Sequence, residues 1–154
     1  MFLCILLLRN EVSACSCTGE RAIKEEIENQ DAVFVGFVKE AEQIRIYDTL
    51  SPNHIIDRVE MKYTMVIESV YKGSQMSDTV FIFTGIGGGD CGYNFKIGQK
   101  YIVYGRYLKT ADRHNRRMFI DKKSAFYTTI CSRTRKYQSE EIKEIKRYLK
   151  KSIK

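Results

Sequence analysis

Few residues in this chain can do chemistry, and their spacing is unusual. Cysteine stands at positions 4, 15, 17, 91 and 131, and histidine only at 54 and 114. One residue separates Cys15 from Cys17, so the pair is neither the CxxC of a dithiol redox centre nor half of a paired zinc site. Cys91 and Cys131 stand alone, and a zinc site would need all four thiolates to converge without paired spacing. His54 and His114 lie far apart, each expected in a polar loop, with no HExxH, so neither is expected to bind metal or catalyse. The run Gly85–Gly98, GIGGGDCGYNFKIG, holds six of the ten glycines. It has no Gly-Lys-Ser/Thr and no helix after it, so the expectation is unusual backbone dihedrals beside Cys91 rather than a phosphate cradle. Glu25/Glu26 and Glu140/Glu141 fall on predicted helix surfaces, where solvated charge is expected rather than acid–base catalysis. No constellation supports an enzyme or a bound cofactor, so the chain reads as non-enzymatic.

The N-terminus bears on what the cysteines do. Phe2–Leu8, FLCILLL, is an apolar run far shorter than the roughly 20 residues a spanning helix needs. Arg9-Asn10-Glu11 follows, and then Val12-Ser13-Ala14, a pattern that signal peptidase accepts. Residues 1–14 are therefore expected to be an export signal lacking its basic first part, with cleavage after Ala14. Arg9 and Glu11 argue against the other reading, a buried first strand. Cleavage leaves one domain over 15–154 whose first residue is Cys15. It also removes Cys4, and the remaining four cysteines form an even set in an oxidising, extracellular setting. Two disulfides are expected, in one of three possible connectivities, and oxidised cysteines leave no thiol for a Cys–His nucleophile. Val12-Ser13-Ala14-Cys15 also matches a bacterial lipobox, which would make the protein a membrane-anchored lipoprotein. Lipidation of Cys15 would leave an odd number of thiols, so parity weighs against it.

Lys+Arg 26 against Asp+Glu 19 gives a net charge of +7, which permits acidic partners without requiring them. Arg113, His114, Arg116, Arg117, Lys122 and Lys123 form a basic turn. An anionic polysaccharide or a membrane surface fits it better than nucleic acid, given export and disulfides, and an ordinary solvated loop fits it best of all.

A chain of 154 residues fits one domain and can hide roughly two-thirds of its unfolded surface. With 44% hydrophobic residues, one Pro and no Trp, disordered and collagen-like classes are excluded. Thr18 is expected to cap a short helix over Glu20–Asn29. Asp31–Val38, DAVFVGFV, reads as a strand buried on both faces, its central glycine at a bend or bulge. Val59–Tyr71 alternates with period two, its odd positions apolar or aromatic apart from Ser69, and with Val66 and Val70 as even exceptions. Thr79–Thr84, Lys100–Leu108 and a short Met118–Asp121 read as further strands. A final helix follows Ser139, with Ile142, Ile145 and Leu149 as its apolar stripe and Tyr148 beside them. About five strands rich in aromatics and glycine, with two helices, are expected to make a small closed barrel.

Ala14-Cys15-Ser16-Cys17-Thr18, DAVFVG at 31–36, YKG at 71–73, GGGDCGYNFKIGQKYIVYG at 87–105 and TTICSRT at 128–134 together resemble the netrin-like module. They resemble more closely the tissue inhibitors of metalloproteinases and their bacterial relatives. The resemblance runs from Cys15 to about Tyr148. It implies a five-stranded OB-fold barrel with flanking N-terminal and C-terminal helices and the pairings Cys15–Cys91 and Cys17–Cys131. It also implies a partner, a zinc metalloproteinase. The amine and carbonyl of Cys15 would chelate the partner's zinc, Ser16 would face its specificity pocket, and Cys17-Thr18 would lie along its cleft. The protein would hold no metal of its own. The animal inhibitors carry a third bridge and a second disulfide-rich domain that have no counterpart in these residues, and they carry larger residues where this chain has Gly19. Netrin-like modules that inhibit no protease also exist, so the alternative is a binding module, lipid-anchored at Cys15 and using the basic 113–123 turn.

Overall fold

The computed structural model describes residues 15–51, 54–73, 76–108 and 124–152. The expected export signal, the strand at Met118–Asp121, His114 and the basic turn lie outside the described residues. Among the described residues the fold is mainly β: a six-stranded sheet with two helices.

β1 (Ala32–Ser51) and β2 (His54–Lys72) form a long antiparallel pair. β1 begins where DAVFVGFV was expected to begin it but continues to Ser51. The extension has no clean apolar alternation because it pairs with β2 alone, and Lys39–Gln43 are all exposed. It is held by the backbone ladder and by cross-strand pairs such as Lys62 Nζ to Glu42 Oε2 at 2.9 Å. A register shift falls between Val35 and Gly36. A Cβ on Gly36 would sit 2.8 Å from the Val66 carbonyl oxygen, so the strands approach here in a way only glycine permits.

β3 (Thr79–Gly85) pairs antiparallel with β2, and β4 (Lys100–Tyr107) pairs antiparallel with β1. β5 (Ala125–Tyr127) lies parallel to β3 and antiparallel to β4. These pairings close a ring of five strands, β1-β2-β3-β5-β4 and back to β1. β6 (Arg135–Lys136) adds to β4 outside the ring. β5 and β6 have three and two residues, too short for any periodicity to reveal.

Alternation on β1 and β4 feeds two cores, as the continuous apolar run required. Phe34, Val38, Tyr101 and Val103 join Tyr63, Met65, Ile82, Phe95 and Phe126 in one cluster. Val33, Val35, Ile102 and Tyr104 face the other way, against Ile27, Ile142 and Ile145. On β2, Tyr63 and Met65 are buried, while the even exceptions Val66 and Val70 are 39% and 43% exposed.

The helices are α1 (Ile23–Asn29) and α2 (Ser139–Ser152). α2 runs as expected, with Ile142 and Ile145 buried and Tyr148 and Leu149 partly so. Each isoleucine side chain contributes about 1.5–3 kcal/mol through burial. Replacing Ile145 by alanine is expected to cost about 2–5 kcal/mol in denaturant unfolding. α1 corrects the sequence reading. Its N-cap is Ala22, with no side-chain cap bond, and not Thr18. Gly19 at φ +97° is incompatible with a helix, and the bridge at Cys17 holds Thr18 away from the helix end.

Candidate functional site

The expected site residues Cys15, Ser16, Cys17 and Thr18 precede the first helix, in a segment with no helical or strand structure over residues 15–22. Cys15 is half-buried, and residues 16–20 are exposed. Cys15 pairs with Cys91 and Cys17 with Cys131, at Cα separations of 5.4 and 5.2 Å. These are the pairings the resemblance implied. The two bridges lie side by side. Cys15 Sγ is 4.0 Å from Cys131 Sγ, and the sulfurs of Cys15, Cys91 and Cys131 all fall within 4.8 Å of one another. Engaged in bridges, these sulfurs tie backbone rather than offering thiolates to a metal.

The loop that receives Cys15 is built on a carboxylate. Asp90 accepts hydrogen bonds from the backbone N–H groups of Ile86 at 2.7 Å, Gly87 at 2.8 Å and Gly92 at 3.0 Å. Gly87, Gly88, Gly89 and Cys91 all have positive φ, as expected for this segment. A Cβ on Gly92 would collide with the Gly85 carbonyl, so the loop doubles back as only glycine allows. Desolvation raises the Asp90 carboxyl pKa, but the backbone N–H bonds outweigh it and hold it below the usual carboxylate range. A lowered folded-state pKa means that the stabilisation is complete above the ordinary carboxylate value and is lost as pH falls through the lowered one. Asp90→Asn is therefore expected to lower the melting temperature at neutral pH by an amount worth about 1 kcal/mol, since solvent screens an exposed group. The melting curves of the two proteins should converge in acid.

The loop that receives Cys17 is a knot of hydroxyls. Thr128 Oγ1 donates to the Tyr104 carbonyl at 3.0 Å, and lies 2.8 Å from Ser132 Oγ and 2.7 Å from Thr134 Oγ1. The Cys131 N–H donates to Thr129 Oγ1 at 3.2 Å. The two receiving loops are joined where the Ile130 N–H donates to the Cys91 carbonyl at 2.9 Å.

A third anchor holds the end of the segment. Arg133 donates from Nη1 to the Arg21 carbonyl at 2.7 Å and from Nη2 to Glu141 Oε2 at 3.0 Å, and also pairs with Glu20 at 3.0 Å. Arg135 pairs with Glu20 and with Glu141. The Tyr104 hydroxyl donates to Glu141 Oε1 at 2.6 Å. Burial first, and then the Glu141 carboxylate, push the Tyr104 phenol well above its usual pKa, so it remains a donor.

Glu141 is 5% exposed and Glu26 fully buried, which corrects the expectation of solvated charge at both pairs. Glu26 accepts from Gln30 Nε2 at 2.6 Å and from Arg21 Nη1 at 3.3 Å. Only Glu25 and Glu140 are exposed. The helical stripe carried the missed signal. Ile23, Glu26, Ile27 and Gln30 share one face by spacing, as do Glu141, Ile145 and Tyr148. Arg133, Tyr104 and Asp90 carried no such signal, because their partners are distant in the chain or lie on the backbone.

His54 is not in a loop as expected but opens β2, at the turn end of the β1–β2 pair, because the β1–β2 ladder runs to Ser51 and His54. The basic residues Arg113, Arg116, Arg117, Lys122 and Lys123 lie outside the described residues, so the surface expected there is not part of this geometry. A cleft of about 240 Å³ abuts the second bridge, lined by Arg21, Arg106, Thr129, Cys131 and Ser132 among others. No family model matches the chain, and no curated protein matches it. The arrangement presents an exposed peptide backbone from Ser16 to Glu20, tied covalently at Cys15 and Cys17 and by ion pairs at Glu20 and Arg21.

Proposed function

We propose that this protein is an exported inhibitor of zinc metalloproteinases of the netrin-like class, acting through the backbone of Cys15. The observation that carries the reading is the segment Cys15–Thr18, which lies outside sheet and helices and is bridged at both of its cysteines to two adjoining loops. A zinc protease leaves one metal position open for water or substrate. With the chain cut after Ala14, the amine and carbonyl of Cys15 form a five-membered chelate for that position and displace the water. A terminal amine has a pKa of about 7.7–8, so it gives up its proton on binding metal near neutral pH. The bridges fix the chelating atoms in advance and lower the ordering cost of association. Ser16 is small enough to enter many specificity pockets, and Thr18 continues along the cleft. Ile86 and Ile130, 55% and 48% exposed in the two receiving loops, supply apolar contact for the rim of the target. The cyclic strand order, with β3 and β5 parallel, supports an OB-fold barrel as the scaffold.

The test is the intact mass of the exported protein, together with its inhibition of a zinc endopeptidase. The expected product begins at an unmodified Cys15, contains two disulfides and inhibits. Its potency should fall as pH drops below about 7, where protons compete with zinc for the amine. A lipidated or acylated Cys15 would overturn chelation and leave the anchored binding module as the better reading.

A further inference from the structure

The two bridges form more than a double tether. We propose that they constitute a thiol–disulfide exchange site, opened at Cys17 by a low-molecular-weight thiol and relayed through Cys131 to Cys15. Three observations converge. Cys17 is exposed whereas Cys15, Cys91 and Cys131 are half-buried, so an incoming thiolate meets the second bridge at the Cys17 sulfur. Cys131 Sγ lies 4.0 Å from Cys15 Sγ, beside the first bridge, so once released it needs only a side-chain rotation to come in line with that bond. The cleft that abuts the second bridge has Cys131 in its lining, so the Cys131 thiolate faces water when it leaves.

The chemistry balances without an oxidant or a reductant. The external thiolate attacks Cys17 Sγ, a mixed disulfide forms at Cys17, and Cys131 leaves with the electron pair. The Cys131 thiolate attacks Cys15 Sγ, the Cys15–Cys131 bond forms, and Cys91 leaves as the thiolate. Cys91 then attacks the mixed disulfide at Cys17 and expels the external thiolate unchanged. Two disulfides exist before and after, and Cys15 has exchanged its tether from the glycine-rich loop to the hydroxyl knot.

The proposal depends on the observed bridges and not on protease inhibition, so its readout is disulfide mapping. Wild-type protein is incubated with a reduced and oxidised glutathione buffer, quenched with an alkylating agent and mapped by peptide mass spectrometry. Glutathione on Cys17, followed by Cys15–Cys131 and Cys17–Cys91 peptides, is the expected result. Glutathione first on Cys15 or Cys91, or native bridges alone at every time, overturns the relay. Cys17→Ser isolates the second step, because Cys131 is then a permanent thiol beside the first bridge. Alkylation should divide between Cys131 and Cys91, and alkylation of Cys131 alone would refute the step. If this variant does not fold, the wild-type experiment decides by itself.

Discussion

One alanine placed ahead of Cys15 is expected to raise the inhibition constant against a sensitive zinc endopeptidase by on the order of a hundredfold or more. Such a loss is equivalent to about 2.8 kcal/mol of binding, each 1.4 kcal/mol being tenfold. The extension converts the Cys15 amine into a peptide nitrogen whose lone pair is delocalised into the carbonyl, so it no longer serves as a zinc donor. It also places extra atoms where the chelate must approach the metal. The fold should be untouched, because the bridges to Cys91 and Cys131 involve side chains only and Ser16–Glu20 are exposed. The checks are the inhibition constant, the disulfide map and the melting temperature of both forms. Unchanged inhibition with an intact extension would end the chelation reading while leaving the fold as it stands.

The second large effect concerns Glu141. Glu141→Ala is expected to destabilise the protein by about 3–5 kcal/mol, the range for breaking a buried ion pair by removing one member. The carboxylate is nearly buried and serves three groups at once, the Tyr104 hydroxyl and the guanidinium groups of Arg133 and Arg135. Without it, Tyr104, which is fully buried, keeps a hydroxyl with no acceptor, and Arg133 loses its main countercharge. Glu141→Gln retains an acceptor for Tyr104 and should cost less. Glu140→Ala, one position away on the exposed face, should have a much smaller effect, limited to its contact with the Ser139 hydroxyl and the helix N-terminus. Denaturant midpoints at constant slope measure all three. Because Arg133 also binds the Arg21 carbonyl and Glu20, the alanine variant should loosen residues 15–21 as well. Faster cleavage by trypsin after Arg21 is the signature to look for.

These residues mark where the sequence was readable. Val59–Tyr71 declared itself because β2 is packed on one side and alternates accordingly, and α2 did so through its isoleucines. The extension of β1 beyond Val38 did not, since Lys39–Gln43 are exposed on both faces and have no reason to alternate. β5 was missed because three residues complete the ring through backbone pairing with β3 and β4. Glu26 and Glu141 read as surface charge because composition marks a carboxylate as polar wherever it lies. Only the stripe to which each belongs placed it inward.

What the chain alone determined is therefore local: the class of its strands, its last helix, the irregularity at Gly36 and a glycine-rich loop strained around Cys91. Its residues by themselves left three ways of joining four cysteines. Tertiary structure chose among them, because the closed ring carries the 85–92 and 128–134 loops to one edge and sets them in contact through Ile130 and Cys91. It also decided which carboxylates lose water, since a buried charge persists only where distant groups arrive to neutralise it. Spacing along a chain records what neighbouring residues prefer; which remote loops meet is a property of how the strands close.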